Sequence, residues 1–362
     1  MPGTGPFWPR LRRFVKDAAV SAAVAMVALL VCEGLLRALN PQVPRTENLS
    51  AFSRAVPDSV LGHRYRPGAS SVYHSPEFTV RYEIGADGRR LFPQPEADSA
   101  AVRILVLGDS FTFGCATDAP YVWTEVMQQA LRARGLDVVV VNAGVEGYDT
   151  RAELHYLSRI LSEVRPDLVL LGFLANDVYT NTPLDAPAPQ SMREHRGRRG
   201  GLHTLALARR LLMGNDRAYA RLFMLTSRRE YYATPPDENV QRQIQLTAQL
   251  LGEMNAYCEV RNTGFAVVSI PQQFAVLTIA HGYHFEGIDP TVIDARLGAV
   301  AAENGFPWID VLPALVADYR ANGEDLYFRV DGHFTRRGNR LAGEACADAL
   351  APMLRAGEGE LR

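Results

Sequence analysis

One stretch decides the fold: residues 102–114 read VRILVLGDSFTFG. The run from Val102 to Leu107 is almost entirely apolar, and it ends at Gly108, Asp109 and Ser110. A short apolar run that stops at a turn is typical of a parallel strand buried on both faces. Open α/β sheets bind ligands beyond the carboxyl ends of their strands, so Ser110 is predicted to lie where such a sheet carries its functional groups.

Strand-like and helix-like stretches alternate after residue 101, which predicts a three-layer α/β/α fold around a five-stranded parallel sheet. The predicted strands are Val102–Leu107, Asp137–Asn142, Asp167–Phe173, Phe265–Ile270 and Pro307–Val311. The predicted helices are Tyr121–Arg134, Arg151–Val164, Pro236–Asn262, Pro290–Asn304 and Gly338–Leu354. This α/β domain is expected to extend over residues 101–356.

The segment 180–235 interrupts the alternation and is predicted to be an insertion after the third strand. Its first part is rich in proline, arginine and glycine, whereas residues 202–226 have the pattern of a short amphipathic helical piece. Long loops at this edge of a sheet usually shape the substrate site, so a cap is predicted, with a merely solvated loop as the alternative. The insertion contains arginines that would suit an anionic polymer or lipid headgroups: Arg193, Arg196, Arg198 and Arg199.

The overall composition is that of a globular protein. The 362 residues are 47% apolar and 22% charged, and the net charge of −2 gives no indication of nucleic acid binding. The cysteines are scattered without metal-ligand spacing, and no cofactor or metal is predicted. They are Cys32, Cys115, Cys258 and Cys346.

The amino terminus has a basic flank followed by an apolar run from Ala18 to Leu36 that only Glu33 interrupts. The uninterrupted part is about 15 residues, or roughly 22 Å of helix. That length is below the roughly 30 Å hydrocarbon core of a bilayer unless Glu33 lies near an interface. Residues 1–40 are therefore predicted to be a cytoplasmic stub and a single-pass signal anchor, which would place the main domain in the periplasm or otherwise outside the cytoplasm. A cleaved signal peptide and a buried soluble helix are the alternatives.

Residues 41–100 are predicted to form a linker and a small β-hairpin unit. Phe78, Val80 and Tyr82 alternate with polar residues, and a turn sequence follows at 86–88. Alternation of this kind indicates a strand with one buried face.

The second chemical feature lies about 220 residues after Ser110, where residues 331–335 read DGHFT. A serine hydroxyl needs a base, which His333 would supply, and Asp331 could hold that imidazole in the productive tautomer. The developing oxyanion needs donors, for which the Ser110 backbone N–H, the N–H of a glycine in the segment Asn142–Tyr148 and the Asn176 side chain are candidates. These residues together predict a serine esterase or an acyl-transfer enzyme.

The chain resembles the SGNH (GDSL-type) hydrolases, a family named for Ser, Gly, Asn and His in four sequence blocks. The blocks correspond to Gly108-Asp109-Ser110, Gly144, Asn176-Asp177 and Asp331-Gly332-His333. The resemblance implies a flavodoxin-like fold, Ser110 as nucleophile, His333 as base and Asp331 as its orienting acid. It also implies an oxyanion hole made by Ser110, Gly144 and Asn176.

Two positions depart from the family pattern. Leu174 stands where the third block usually has glycine, and the last block has D-x-H in place of the usual D-x-x-H. A similar acid-x-base pair occurs in alginate-type O-acetyltransferases and membrane-anchored SGNH proteins. The resemblance predicts an esterase acting on O-acetyl or short acyl groups, with an ester-bearing small molecule or polysaccharide as substrate. The alternatives are an O-acyltransferase that modifies a cell-envelope polysaccharide and a non-catalytic envelope assembly protein.

Overall fold

A computed structural model of the chain describes residues 7–43, 45–47, 56–94, 101–186 and 201–357. Its first element is helix α1, Phe7–Leu39, which is long and apolar enough to cross a membrane. The mean hydropathy of its most apolar 18-residue window is 2.3, and only 6% of that window is buried against the rest of the protein. At about 1.5 Å per residue the helix is roughly 50 Å long, which exceeds a bilayer core of about 30 Å.

Five short strands follow, and we call them the β-unit. They are β1, Arg45–Glu47; β2, Val56–Asp58; β3, Gly62–Arg64; β4, Ser70–His74; and β5, Thr79–Glu83. Strands β4 and β5 form a hairpin whose turn lies at residues 75–78, before β5 and not at the predicted 86–88, and Val80 and Tyr82 are buried against the α/β domain as the alternation predicts. Strand β1 adds to this hairpin, so a segment that was expected to be only linker contributes a third strand. Strands β2 and β3 pair separately.

The central sheet has the five parallel strands that the sequence predicts. They are β6, Val102–Gly108; β7, Val138–Asn142; β8, Leu168–Leu174; β9, Gly264–Ile270; and β10, Trp308–Asp310. Their order across the sheet is β10-β9-β8-β6-β7, and every neighbouring pair is parallel. Strand β6, which leads to Ser110, is therefore an inner strand.

Eleven further α-helices in the described residues lie between these strands or after the last of them. They are α2, Ser110–Phe113; α3, Trp123–Ala133; α4, Thr150–Val164; α5, Asp177–Thr180; α6, His203–Met213; α7, Asp216–Phe223; α8, Glu238–Glu259; α9, Gln273–His281; α10, Val292–Glu303; α11, Leu312–Asn322; and α12, Arg336–Gly357. The short helices α2 and α5 and the longer helices α9 and α11 were not predicted. The side chains from Phe274 to Leu277 in α9 are all buried. The sequence there is therefore an unbroken apolar run, without the alternation of apolar and polar residues that predicts an amphipathic helix.

Two hydrophobic cores lie on the two faces of the sheet. Ile104 and Val106 of β6 point into the core that α3, α11 and α12 cover, whereas Leu105 and Leu107 point into the core that α4, α8 and α10 cover. The alternation along β6 thus buries both faces, and the predicted three-layer α/β/α architecture is confirmed.

The insertion, residues 180–235, contains α6 and α7, which agrees with the predicted amphipathic helical piece. Its four singled-out arginines, from Arg193 to Arg199, lie outside the described residues. The cap function therefore stays a prediction.

Candidate active site

The turn at the end of β6 fixes the position of Ser110. Gly108 has φ +152°, and a Cβ at this residue would lie 2.1 Å from Thr112 Oγ1 and 2.9 Å from the Gly172 carbonyl oxygen. Only glycine allows the chain to turn this closely against Thr112 and β8. Asp109 then caps helix α2 by accepting the Phe111 N–H at 2.9 Å. The consequence is a serine hydroxyl at the first residue of a short helix above the sheet.

Ser110, His333 and Asp331 lie in one hydrogen-bonded chain, as the sequence predicts. Ser110 Oγ lies 2.8 Å from His333 Nε2, and His333 Nδ1 lies 2.6 Å from Asp331 Oδ1. The short D-x-H spacing is possible because Gly332 has φ +89°, a left-handed turn that bends the Asp331 side chain back to the ring two residues later. This arrangement can accept the hydroxyl proton on Nε2 while Asp331 holds the Nδ1 proton.

The charge around the imidazole favours its protonated form. Burial is the largest single influence and opposes protonation, but the hydrogen bond and charge of Asp331 outweigh it, helped by the charges of Asp109 and Glu146. The net result is a raised pKa for His333. Burial raises the pKa of Asp109, while its hydrogen bonds to Phe111, Asn176 and Ser110 favour the charged form.

Two further buried acids interact electrostatically with Asp109. The Asp177 carboxylate accepts the Thr150 hydroxyl at 2.9 Å, and neither oxygen of Glu153 has a hydrogen-bond partner among the described residues. Burial, and after it the charges of neighbouring carboxylates, raise the pKa of both acids well above the usual range. Glu153 is therefore a core residue of helix α4.

The loop that carries Asp331 and His333, residues 325–335, is held by the β-unit, and we call it the histidine loop. The Glu77 carboxylate, in the turn between β4 and β5, accepts the backbone N–H groups of Val330 at 3.1 Å and Asp331 at 3.1 Å. Phe78 packs on Phe328 with ring centroids 4.7 Å apart. Sequence reasoning missed Glu77, because it lies 254 positions from Asp331 in an ordinary turn sequence.

The insertion holds the same loop from another side. Asp216, the first residue of α7, forms an ion pair with Arg329, two residues before Asp331. Its carboxylate also accepts a hydrogen bond from Tyr319 and lies 2.6 Å from His281 Nε2. His281, which has metal-like spacing to His284 in the sequence, thus pairs with an acid in this network.

The candidate oxyanion donors differ in their hydrogen bonds. The Gly144 N–H is buried and donates to Asn142 Oδ1 at 2.9 Å, and a Cβ at residue 144 would lie 2.3 Å from the Phe113 nitrogen. Gly144 is thus required by close packing of the β7 end against α2. By contrast Gly147 is exposed with φ +79°, and neither its N–H nor that of Ser110 has a partner within the described ranges. Sequence reasoning did not single out Gly147, because its free N–H and its positive φ are visible only in the structure.

The chain is similar to known lipases, acylhydrolases and esterases. The model of the GDSL-like Lipase/Acylhydrolase family matches residues 106–341. The chain is 37% identical over 87 residues to an arylesterase of Vibrio mimicus, an alignment that covers 24% of this chain and 44% of that protein. It is 34% identical over 79 residues to the esterase TesA of Pseudomonas aeruginosa, covering 22% and 39%. The chain therefore spans less than half the length of these two curated relatives.

A crystal structure of TesA is similar to the chain at 18% sequence identity and a TM-score of 0.42, covering 69% of this chain and 99% of that one. The family match is more extensive than the curated alignments: it extends from β6 to helix α12 and includes both Ser110 and His333. Because this match covers well over half of the residues, the chain belongs to the GDSL-like lipase/acylhydrolase family.

Proposed function

We propose that the protein is a serine esterase that hydrolyses short acyl esters through an acyl-enzyme on Ser110. The observation that carries this proposal is the contact of 2.8 Å between Ser110 Oγ and His333 Nε2, together with the contact of 2.6 Å between His333 Nδ1 and Asp331 Oδ1. A hydroxyl within hydrogen-bond reach of an oriented imidazole is the requirement for nucleophilic catalysis by serine.

The reaction has two acyl-transfer steps. Ser110 Oγ bonds to the ester carbonyl carbon while His333 Nε2 takes its proton, and the tetrahedral intermediate expels the alcohol, which receives that proton. Water then attacks the acyl-enzyme and gives a proton to His333. Collapse of the second intermediate breaks the Ser110 ester bond, returns the proton to Ser110 and releases the acid.

We assign the oxyanion hole to the Ser110 N–H, the Gly147 N–H and the Asn176 side-chain amide. Gly147 replaces the predicted Gly144, whose N–H is already used by Asn142. The Asn176→Ala variant should lower kcat by about 10²–10³-fold, as loss of one oxyanion donor does. In a crystal structure of a phosphonate adduct, the phosphoryl oxygen should contact Gly147 N; a contact with Gly144 N would restore the original assignment.

The acyl acceptor separates this proposal from its alternatives. An O-acyltransferase would use the same acyl-enzyme but direct a sugar hydroxyl in place of water. The curated relatives are described as esterases, which favours water. Incubating the protein with an acetyl donor and an oligosaccharide should release free acetate; acetyl groups that appear on the sugar would identify a transferase.

We also propose that helix α1 anchors the protein and that the active site lies outside the cytoplasm. Support comes from the apolarity of α1 and from the basic residues near its amino-terminal end, Arg10, Arg12, Arg13 and Lys16, which favour a cytoplasmic amino terminus. The full-length protein should resist carbonate extraction from membranes and retain its amino-terminal sequence. A soluble product that lacks α1 would indicate a cleaved signal peptide.

The test of the activity is turnover of p-nitrophenyl acetate by the full-length protein and by the Ser110→Ala variant. Removing the nucleophile should lower kcat by several orders of magnitude, to roughly 10⁻³ or less of the parent value, with an unchanged fold by circular dichroism. An equal rate in both proteins would refute the assignment. Absence of turnover in either, with both folded, would favour the non-catalytic assembly protein.

A further inference from the structure

Helix α6 of the insertion has an unusual number of exposed leucines. Leu202 just before the helix and three leucines within it are exposed by about half or more: Leu202 by 56%, Leu205 by 67%, Leu211 by 70% and Leu212 by 49%. Single exposed leucines are ordinary on a protein surface, but a contiguous group marks an interaction site.

The exposed residues form one side of α6. Leu205, Arg209 and Leu212 are spaced by four and three residues, with Leu211 at the edge of this side, and the half-buried residues Leu207 and Arg210 lie on the other side. The helix has two arginines and no acidic residue. A helix with a leucine side and basic residues suits the boundary between lipid headgroups and acyl chains.

Helix α6 lies beside α1, and this position indicates which surroundings cover its exposed leucines. The Glu33 carboxylate of α1 caps α6 by accepting the N–H groups of His203 at 3.0 Å and Thr204 at 2.9 Å, and the Thr204 hydroxyl at 3.0 Å. The Gln42 N–H, just after α1, donates to His203 Nδ1 at 2.8 Å. The first turn of α6 is therefore attached to the last two turns of α1.

Glu33 is buried by this contact, although it lies within the apolar helix. Its charge interacts with the amino terminus of α6 and with Arg37, whose Nε lies 2.7 Å away. The neighbouring apolar side chains of α1 stay exposed, as Leu30 at 65% and Leu35 at 54% show. The exposed leucines of α6 thus belong to a helix that is attached to the helix long enough to cross a membrane.

We propose that α6 is an interfacial helix that lies in the outer boundary of the same bilayer that α1 crosses, with its leucines among the acyl chains. This inference rests on the membrane anchor proposed above and adds a second point of attachment. A second attachment restricts rotation of the α/β domain about α1. Helix α7 follows α6 directly, and its Asp216 binds Arg329 of the histidine loop. The membrane contact of α6 is therefore connected to the position of the histidine loop through α7.

The experiment places an environment-sensitive fluorophore at three positions of the full-length protein, in a Cys32→Ser background. The labelled variants are Leu205→Cys on α6, Val24→Cys in the middle of α1, and Val260→Cys after α8 as a matched exposed apolar control. Val260 is 79% exposed and lies before β9, at the edge of the sheet opposite Ser110. The Cys32→Ser parent gives the background labelling, and the proteins are reconstituted into phosphatidylcholine–phosphatidylglycerol vesicles with and without nitroxide-labelled lipid.

The proposal predicts a blue-shifted emission and a loss of emission with nitroxide lipid at residues 24 and 205, and neither change at residue 260. Quenching at residue 24 without quenching at residue 205 would overturn the interfacial helix while leaving the anchor in place. Failure at both positions would overturn the anchor. A blue shift at residue 205 without lipid quenching would indicate that protein, such as a second copy of the chain, covers α6, and would also overturn the proposal.

The Glu33→Ala variant tests the attachment itself. Without the carboxylate, three hydrogen bonds to the first turn of α6 are lost. The label at residue 205 should then lose part of its quenching, while the label at residue 24 keeps all of it. Equal quenching at residue 205 with and without Glu33 would show that α6 reaches the bilayer independently of this contact.

Discussion

The two ends of the Ser110–His333 contact are held in different ways. Ser110 is positioned by its own neighbours: Gly108 turns the chain, Asp109 caps α2 and Thr112 fills the space beside β8. His333 lies on a long loop whose supports come from distant segments. Glu77 of the β-unit binds the loop backbone, and Asp216 of the insertion binds Arg329.

One of the two supports of the histidine loop lies outside the family match. The family match begins at residue 106, so the residues that hold Ser110 lie inside it, whereas Glu77 lies before it. The local turn around Ser110 leaves the nucleophile little conformational freedom. A loop fixed through outside contacts can be tuned by the elements that supply them, here the β-unit and the insertion. We expect variants on the histidine side to change rate without changing the fold.

The largest effect on the histidine side is expected for Asp331→Asn. Asparagine would leave His333 without a charged partner and favour the wrong tautomer, so kcat should fall by about 10³–10⁴-fold. Steady-state kinetics with p-nitrophenyl acetate measure this loss. A reduction of only a few-fold would show that the D-x-H pair does not orient the imidazole.

The acid limb of the pH profile offers a second comparison. Turnover requires neutral His333, whose pKa is raised above 6.5, so kcat/KM should rise with pH through a midpoint above 6.5. In Asp331→Asn the burial that opposes protonation is no longer outweighed, and the midpoint should move to lower pH. A midpoint that stays in place in this variant would mean that the limb reports another group.

A smaller effect is expected for Glu77→Ala, which removes the acceptor for the Val330 and Asp331 N–H groups. The histidine loop would then be held less firmly. We expect kcat to fall about tenfold with little change in KM, because the positioning of His333 is affected and substrate binding is not. Glu83→Ala is the matched control, since its exposed carboxylate on β5 pairs only loosely with Arg81 at 3.9 Å. Equal kcat values in the two variants would remove Glu77 from the account.

The smallest effect is expected on the serine side, for Thr112→Val. The Thr112 hydroxyl is buried without a hydrogen-bond partner among the described residues, so only its shape matters. Valine keeps that shape, so we expect an unchanged kcat. The free energy of unfolding should equal that of the parent to within about 1 kcal/mol, or exceed it. Gly172→Ala is the contrasting variant, because its Cβ would lie 2.4 Å from Thr112 Oγ1. Chemical denaturation of both variants makes the comparison.

The contrast between the local support of Ser110 and the distant support of His333 also explains which parts of the site the sequence predicts. The five strands, Ser110, His333 and Asp331 follow from local patterns, and the structure brings these three residues together. The supports do not follow, because Glu77 and Glu33 bind backbone N–H groups 170 or more positions away and leave no mark in the local pattern. The choice between Gly144 and Gly147 also required the structure, since it depends on which N–H is already bonded.

The most direct test of the central claim is covalent labelling of the full-length protein with a fluorophosphonate, followed by peptide mass spectrometry. A Ser110 hydroxyl activated by His333 should give one adduct, on Ser110, that forms much more slowly in His333→Ala and is absent in Ser110→Ala. An adduct on another residue, or labelling of Ser110 at the same rate without His333, would contradict the account.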